Sequence, residues 1–141
     1  MARSVLVTEA PLRILIAEDN AHLAELVEGI LDEDGRFILV GCATNGEEAV
    51  RLCEEHTPDI VLMDIGMPGL DGIDATRAIH ARDADQHVVI YTGSDEYDDV
   101  GRADAAGAAG FLHKDALTSP DLAEALHVLH TNYVNRVPDP E

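Results

Sequence analysis

The sequence predicts an open α/β domain in which a parallel sheet is covered by helices on both faces. Two observations carry this prediction: five short apolar runs alternate with helical patterns, and the runs are continuously apolar instead of alternating. A continuously apolar strand is typical of a parallel sheet that is buried on both faces. A length of 141 residues and an apolar content of 46% are enough for one domain with a substantial core.

The apolar runs give the predicted strands. They are 12–17 (LRILIA), 37–43 (FILVGCA), 59–64 (DIVLMD), 87–91 (HVVIY) and 110–113 (GFLH). The third strand follows Pro58, and a loop rich in glycine and proline, 66–72 (GMPGLDG), comes after it. The order along the chain therefore predicts five strand–helix units in succession.

The predicted helices each show an apolar face at helical spacing. In the first helix this face has five members: Leu23, Leu26, Val27, Ile30 and Leu31. Asn20 is placed to cap its start, and Gly35 follows its end. The other helices are predicted to begin after Asn45 and Gly46, to cover about 72–82 and 95–107, and to begin at Ser119 with Pro120 in the first helical position.

The composition is strongly acidic, with 28 Asp and Glu against 9 Lys and Arg and a formal net charge of −19. Such a field repels phosphate backbones, so the domain itself is not expected to bind nucleic acid. We expect Cys42 and Cys53 to be buried free thiols, because two cysteines are too few for a disulfide framework. No signal peptide or membrane span is predicted, and the expected compartment is the cytoplasm.

The domain is predicted to occupy residues 11–133. Residues 1–10 are predicted to form a loose leader, and residues 134–141, with two prolines, a tail or the start of a linker.

Charged and hydroxyl side chains stand at the carboxyl ends of the predicted strands. They are Glu18 and Asp19 after the first strand, Asp64 at the end of the third, Thr92 after the fourth and Lys114 after the fifth. Ligands of open parallel sheets bind at this edge. Three converging carboxylates would repel one another, and a hard dication such as Mg²⁺, with Mn²⁺ as an alternative, removes the conflict. We predict Asp19, Asp64 and the Gly66 carbonyl as ligands, with Glu18 acting through water.

Four segments resemble the receiver domain of bacterial two-component response regulators. They are IAEDN (16–20), DIVLMDIGMPGLDGIDATRAI (59–79), YTG (91–93) and GFLHKD (110–115). The resemblance runs from about residue 12 to residue 132, and the segments GCATNGEEAV (41–50) and LHKD (112–115) are most similar to receivers of the NarL/FixJ type. It implies a flavodoxin-like, doubly wound (βα)5 fold with a five-stranded parallel sheet in the order 2-1-3-4-5.

The resemblance also implies roles for individual residues. Asp64 is expected to accept a phosphoryl group, and Lys114 to pair with Asp64 at rest and with the phosphoryl group afterwards. Thr92 is expected to donate its hydroxyl to the phosphoryl group, and Phe111 to fill the space that Thr92 leaves. Such a domain is a signalling module and not an enzyme, although it assists its own phosphotransfer and autodephosphorylation.

The implied partners are proteins. A sensor histidine kinase or a phosphotransfer protein would donate the phosphoryl group. The fourth helix, fifth strand and fifth helix would form the face that contacts a downstream protein, an output domain or a second copy of the chain. The chain is expected to be either a stand-alone receiver or the receiver part of a NarL/FixJ-type transcriptional regulator.

Three positions depart from the usual receiver pattern. Gly66 offers no side chain beside Asp64, Gly93 follows Thr92 where alanine is usual, and Asp115 replaces the proline that often follows the lysine. The first two departures leave the lifetime of the phosphorylated state and the tightness of the switch loop open.

Three other functions fit parts of the sequence. A flavin-binding protein would need a phosphate loop after the first strand, where AEDNAH (17–22) is acidic. A phosphatase of the dehalogenase type would need an acid two residues after Asp64, where Gly66 stands. A receiver that acts without phosphorylation, as an interaction module only, is the third alternative.

Overall fold

A computed structural model describes residues 10–93 and 97–136, with the side chains of all of these except 97 and 98. The strands are β1 (Leu12–Ala17), β2 (Phe37–Ala43), β3 (Ile60–Asp64), β4 (His87–Thr92) and β5 (Gly110–His113). The helices are α1 (Ala21–Asp34), α2 (Gly46–His56), α3 (Gly72–Arg82), α4 (Tyr97–Ala106), a 3-10 helix (Lys114–Thr118) and α5 (Leu122–Val134). The predicted leader (1–9), the start of the fourth helix (95–96) and the last part of the tail (137–141) lie outside the described residues.

The five strands form one parallel sheet in the order β2-β1-β3-β4-β5, as predicted. The chain moves outward from β1 to β2, then crosses back to β3 on the other side of β1. This reversal of direction opens a crevice at the carboxyl ends of β1 and β3, which is where open sheets of this kind bind ligands.

Two apolar layers cover the sheet. One lies beneath α2, α3 and α4, and the other beneath α1 and α5. Every residue of β3 and β4 is buried, so the prediction of strands covered on both faces is confirmed for the centre of the sheet.

The prediction of two-sided burial is wrong for the two edge strands: all four residues of β5 are only half-buried, and β2 is partly exposed. Ile38 is 49% exposed and Cys42 is exposed, so of the two cysteines only Cys53, on α2, is buried as expected. The physical reason is that β2 has a neighbouring strand on one side only. An apolar run does not distinguish an edge strand from a central one.

The predicted residues cap both ends of α1. The Asn20 side chain accepts a hydrogen bond of 3.1 Å from the Leu23 N–H, and Gly35 ends α1 in the left-handed region with φ of 87°. A cap of this kind is worth about 1 kcal/mol.

Leu26, predicted on the buried face of α1, is 45% exposed. It lies at the border of the apolar stripe, and the contact with the sheet runs through Ala24, Val27 and Leu31.

The last helix begins later than predicted. The 3-10 helix follows β5 and buries Leu117, and α5 starts at Leu122 instead of Pro120. Ser119 still helps to start it, because its carbonyl accepts from the Leu122 N–H at 3.1 Å and its hydroxyl oxygen from the Asp121 N–H at 3.1 Å. In the described part of the chain, no helix has the length and apolar character needed to cross a lipid bilayer.

Candidate functional site

The predicted site residues meet at one edge of the sheet. Glu18 and Asp19 follow β1, and Asp64 ends β3. Thr92, which is buried, ends β4, and Lys114 follows β5. The parallel register aligns these strand ends, so residues far apart in sequence lie around the same crevice.

Three carboxylates form a cluster in the crevice. Glu18, Asp19 and Asp64 each present one carboxylate oxygen, and these three oxygens all lie within 4.8 Å of one another. Glu18 and Asp64 are buried, whereas Asp19 is exposed. Three acids at this distance repel one another unless a proton or a cation intervenes, and oxygen donors of this type suit a hard dication. The cluster can therefore hold a metal ion such as Mg²⁺.

Asp64 is held in an environment that disfavours its charge. Burial raises the pKa of its carboxyl, and the nearby charge of Asp19 adds to this. The Gly66 N–H, which donates to Asp64 Oδ1 at 3.1 Å, and the charge of Lys114 both act in the opposite direction and lower that pKa. A cation in the cluster would favour the ionised form of Asp64 in the same way.

Tight backbone packing fixes the position of Asp64. A Cβ atom on Gly72 would lie 2.1 Å from the Asp64 carbonyl oxygen, so only glycine allows the start of α3 to approach the end of β3 this closely. The side chain of Asp71 caps α3 by accepting from the Asp74 N–H at 2.8 Å. The loop after Asp64 is therefore anchored where it enters α3.

Glu18 is the most deeply buried acid of the cluster, with 1% of its surface exposed. The Tyr91 hydroxyl donates to Glu18 Oε1 at 2.5 Å, and the Asn20 N–H donates to Oε2 at 3.0 Å. Burial raises the pKa of Glu18, and these two hydrogen bonds oppose that effect. Tyr91 was missed at the level of sequence because it stood in an apolar run. Its hydroxyl could have indicated a polar contact, since a buried tyrosine usually requires a hydrogen-bond partner.

Lys114 does not form the direct ion pair with Asp64 that was predicted for the resting state. Among the described residues, no direct ion pair joins Lys114 to Asp64, although the lysine charge lowers the pKa of both Asp64 and Glu18. Lys114 is half-buried and begins the 3-10 helix, and a Cβ on Gly93 would lie 3.8 Å from its Cδ. The stem of the lysine thus passes over the glycine that follows Thr92.

Phe111 lies outside the carboxylate cluster. It is paired with Ile90 in the sheet and packs, half-buried, against the apolar layer beneath α4. A groove of about 180 Å³ between α4 and β5 is lined in part by Phe111, Val100 and Ala103.

His113 caps the 3-10 helix, because its Nδ1 accepts from the Asp115 N–H at 3.2 Å.

Comparisons with known proteins agree with this fold and site. The family model of the response regulator receiver domain matches residues 14–127. The nitrate/nitrite response regulator NarL of Escherichia coli K12 is 32% identical over 119 residues, which cover 84% of this chain and 55% of NarL. The chemotaxis protein CheY of Halobacterium salinarum is 35% identical over 114 residues, which cover 81% of this chain and 92% of CheY.

A solved structure gives the same result. A LuxR-family two-component response regulator from Aurantimonas sp. SI85-9A1 superposes with a TM-score of 0.81 at 31% identity, covering 87% of each chain. The present chain spans about half the length of NarL, with 55% covered, and nearly all of the Halobacterium CheY, with 92% covered. Receiver domains are signalling domains that work with histidine kinases or phosphotransfer proteins. The chain belongs to the response regulator receiver domain family of two-component systems.

Proposed function

We propose that this receiver accepts a phosphoryl group on Asp64 in a reaction that requires Mg²⁺. The donor would be the phosphohistidine of a sensor histidine kinase or of a phosphotransfer protein, and a small acyl phosphate can take its place. The observation that carries the proposal is the convergence of the Glu18, Asp19 and Asp64 oxygens within 4.8 Å at the carboxyl edge of the sheet.

In the proposed reaction an oxygen of Asp64 attacks the phosphorus atom. A P–O bond forms, the P–N bond to the donor histidine breaks, and the released imidazole nitrogen takes a proton from solvent. Such a transfer depends on positioning and charge stabilisation more than on covalent help from the protein. The Gly66 N–H and the packing of Gly72 orient the Asp64 carboxylate for attack.

The cation site follows from the same residues. Asp19 and Asp64 would hold Mg²⁺ directly, with the Gly66 carbonyl as a third ligand and Glu18 acting through water. The bound ion would neutralise charge on the phosphoryl oxygens. Lys114 would bring a compact, mobile ammonium to the same oxygens, and its position over Gly93 lets it reach past the end of β4.

The proposed output is a switch from Thr92 to the face formed by α4, β5 and α5. Thr92, buried at the end of β4, would donate its hydroxyl to a phosphoryl oxygen. Phe111 would then move into the space that Thr92 leaves, and the groove beside Phe111 between α4 and β5 gives room for such a change. The face would contact a downstream protein, an output domain or a second copy of the chain.

Hydrolysis of the aspartyl phosphate depends on the space around Asp64. A Cβ on Gly66 would lie 3.8 Å from Asp64 Oδ1, so a side chain at this position would shield the carboxylate. Glycine leaves it open, and water can approach. We therefore propose that water reaches the aspartyl phosphate unobstructed from position 66 when the chain dephosphorylates itself.

The proposal is tested by intact-mass spectrometry after incubation with acetyl phosphate, with Mg²⁺ or with EDTA. We expect the mass of one phosphoryl group to be added in Mg²⁺ only, and no addition in Asp64→Asn. Asp32→Asn, which changes an exposed carboxylate on α1, is the matched control and should be modified like the wild type. Equal modification of Asp64→Asn would refute the proposal. Modification that is independent of the metal would refute the cation's part in it.

A further inference from the structure

Tyr91 reaches the cluster from two strands away. Its ring is 1% exposed and packs in the apolar layer beneath α1 and α5. Because β3 lies between β4 and β1, the side chain must cross the width of β3, and adjacent strands are about 4.8 Å apart. Its hydroxyl ends 2.5 Å from Glu18 Oε1 and 3.4 Å from the Ala17 carbonyl oxygen.

This contact leaves Glu18 with little freedom. One carboxylate oxygen accepts from the Tyr91 hydroxyl and the other from the Asn20 N–H, so rotation of the carboxylate would break both hydrogen bonds. A hydrogen bond from a hydroxyl to an ionised carboxylate is charge-assisted. Glu18 is therefore held in one orientation with an oxygen in the cluster formed with Asp19 and Asp64.

We propose that Tyr91 is a positioning residue of the cation site, acting through Glu18. The inference rests on the proposed function, because it assigns Tyr91 a part in the same Mg²⁺ site. Outer-shell groups that orient a metal site typically change metal affinity by about 10–100-fold when they are removed, and Tyr91, which acts through a carboxylate that binds by way of water, should lie at the lower end of this range. The hydroxyl of Tyr91 has no other carboxylate partner among the described residues, so its effect on the cluster passes through Glu18.

The test is Tyr91→Phe, which keeps the ring and its packing and removes only the hydroxyl. We expect its dissociation constant for Mg²⁺ to rise about tenfold, measured by NMR titration of backbone amides with magnesium chloride. The matched control is Tyr133→Phe, which also removes one hydroxyl, in this case one that donates to the Asp85 carbonyl at 2.8 Å before β4. That variant should bind Mg²⁺ like the wild type.

A double-mutant cycle separates positioning from a general effect on packing. Glu18→Asp keeps the negative charge but withdraws the carboxylate from Tyr91 by one methylene, so the hydrogen bond to the hydroxyl is lost. In this background Tyr91→Phe should change the Mg²⁺ dissociation constant by less than about twofold. A tenfold loss that persists with Glu18→Asp would show that Tyr91 does not act through Glu18, and the inference would be wrong.

The results distinguish the inference from the proposed function. If the wild type binds Mg²⁺ and Tyr91→Phe binds it equally well, the inference fails and the proposed function stands. If the wild type does not bind Mg²⁺ in the titration, both fail together. Loss of affinity in Tyr91→Phe, no loss in Tyr133→Phe and coupling to Glu18 would support both.

Discussion

Lys114 is the only lysine of the chain, and its position explains why an arginine would not serve as well. Its stem lies over Gly93, and its charge acts on Asp64 and Glu18 without a direct ion pair among the described contacts. A compact ammonium on a flexible stem can move to a phosphoryl oxygen, whereas a planar guanidinium prefers a fixed, two-point contact.

We expect Lys114→Arg to fold normally and to switch poorly. The free energy of unfolding should change by about 0.5 kcal/mol or less, since the charge is kept and the residue is only half-buried. Amide NMR shifts of β5 and α5 on addition of beryllofluoride and Mg²⁺ should be much smaller than in the wild type. Arg77→Lys, an exposed exchange on α3, is the control. Full wild-type shifts in Lys114→Arg would contradict the expectation.

At the level of single residues, the sequence predicted positions better than contacts. The strand-end pattern placed Glu18, Asp19, Asp64 and Lys114 at one edge because a parallel register aligns strand ends. It did not reveal the hydrogen bond between Glu18 and Tyr91. This bond forms because the Tyr91 side chain on β4 extends past β3 to Glu18 after β1. The spacing of residues along the chain does not predict such a contact between strands.

At the level of elements, prediction succeeded where one local signal was decisive. Asn20 and Gly35 marked the two ends of α1, because Asn20 accepts from a backbone N–H at the start of the helix and Gly35 adopts the left-handed conformation that ends it. It failed where tertiary context decides. The exposure of β2 follows from its place at the edge, and a 3-10 helix with a buried Leu117 precedes the start of α5.

A ring stack joins the start of β4 to the end of α5. His87 Nδ1 lies 2.9 Å from His130 Nδ1, and the Tyr133 ring stacks on His87 at a centroid distance of 4.2 Å. The Arg136 guanidinium covers the other end of this stack, 3.7 Å from the Tyr133 centroid. No role was predicted for these histidines, because 43 residues separate the two in sequence.

The stack predicts a pH dependence of stability. Burial lowers the pKa of His87 to about 3, and the charges of His130 and Arg136 act in the same direction. The folded state keeps His87 neutral, whereas the unfolded state takes up a proton below its ordinary pKa of about 6.5. The contribution of neutral His87 to the free energy of unfolding is therefore fully present above a pH of about 6.5. It falls by about 1.4 kcal/mol for each pH unit below it, until the folded pKa is reached.

The comparison that isolates this effect is chemical denaturation of the wild type and His87→Phe between pH 7 and pH 5. The phenylalanine ring keeps the stack without the titrating group, so the variant should lose less stability than the wild type on acidification. His22→Phe, at an exposed position on α1, should follow the wild type. Equal slopes for His87→Phe and the wild type would show that another group dominates.

At the level of the whole molecule, the two ends of the sheet carry different chemistry. The carboxyl edge gathers the acids, Lys114 and Thr92, while the opposite edge carries the ring stack at the start of β4. The strand order follows from the doubly wound connections, and it brings β1 and β3 together so that their terminal acids share one crevice. With a net charge of −19, the chain as a whole favours cations at this edge.

The central claim is that Asp64 is the phosphoacceptor, and mapping the modified residue tests it most directly. The protein is incubated with acetyl phosphate and Mg²⁺, the acyl phosphate is reduced with borohydride, and the peptides are sequenced by mass spectrometry. Reduction converts a phosphorylated aspartate to homoserine. We predict homoserine at position 64 in the wild type, and none when EDTA replaces Mg²⁺. Homoserine at another aspartate, with position 64 unchanged, would contradict the assignment.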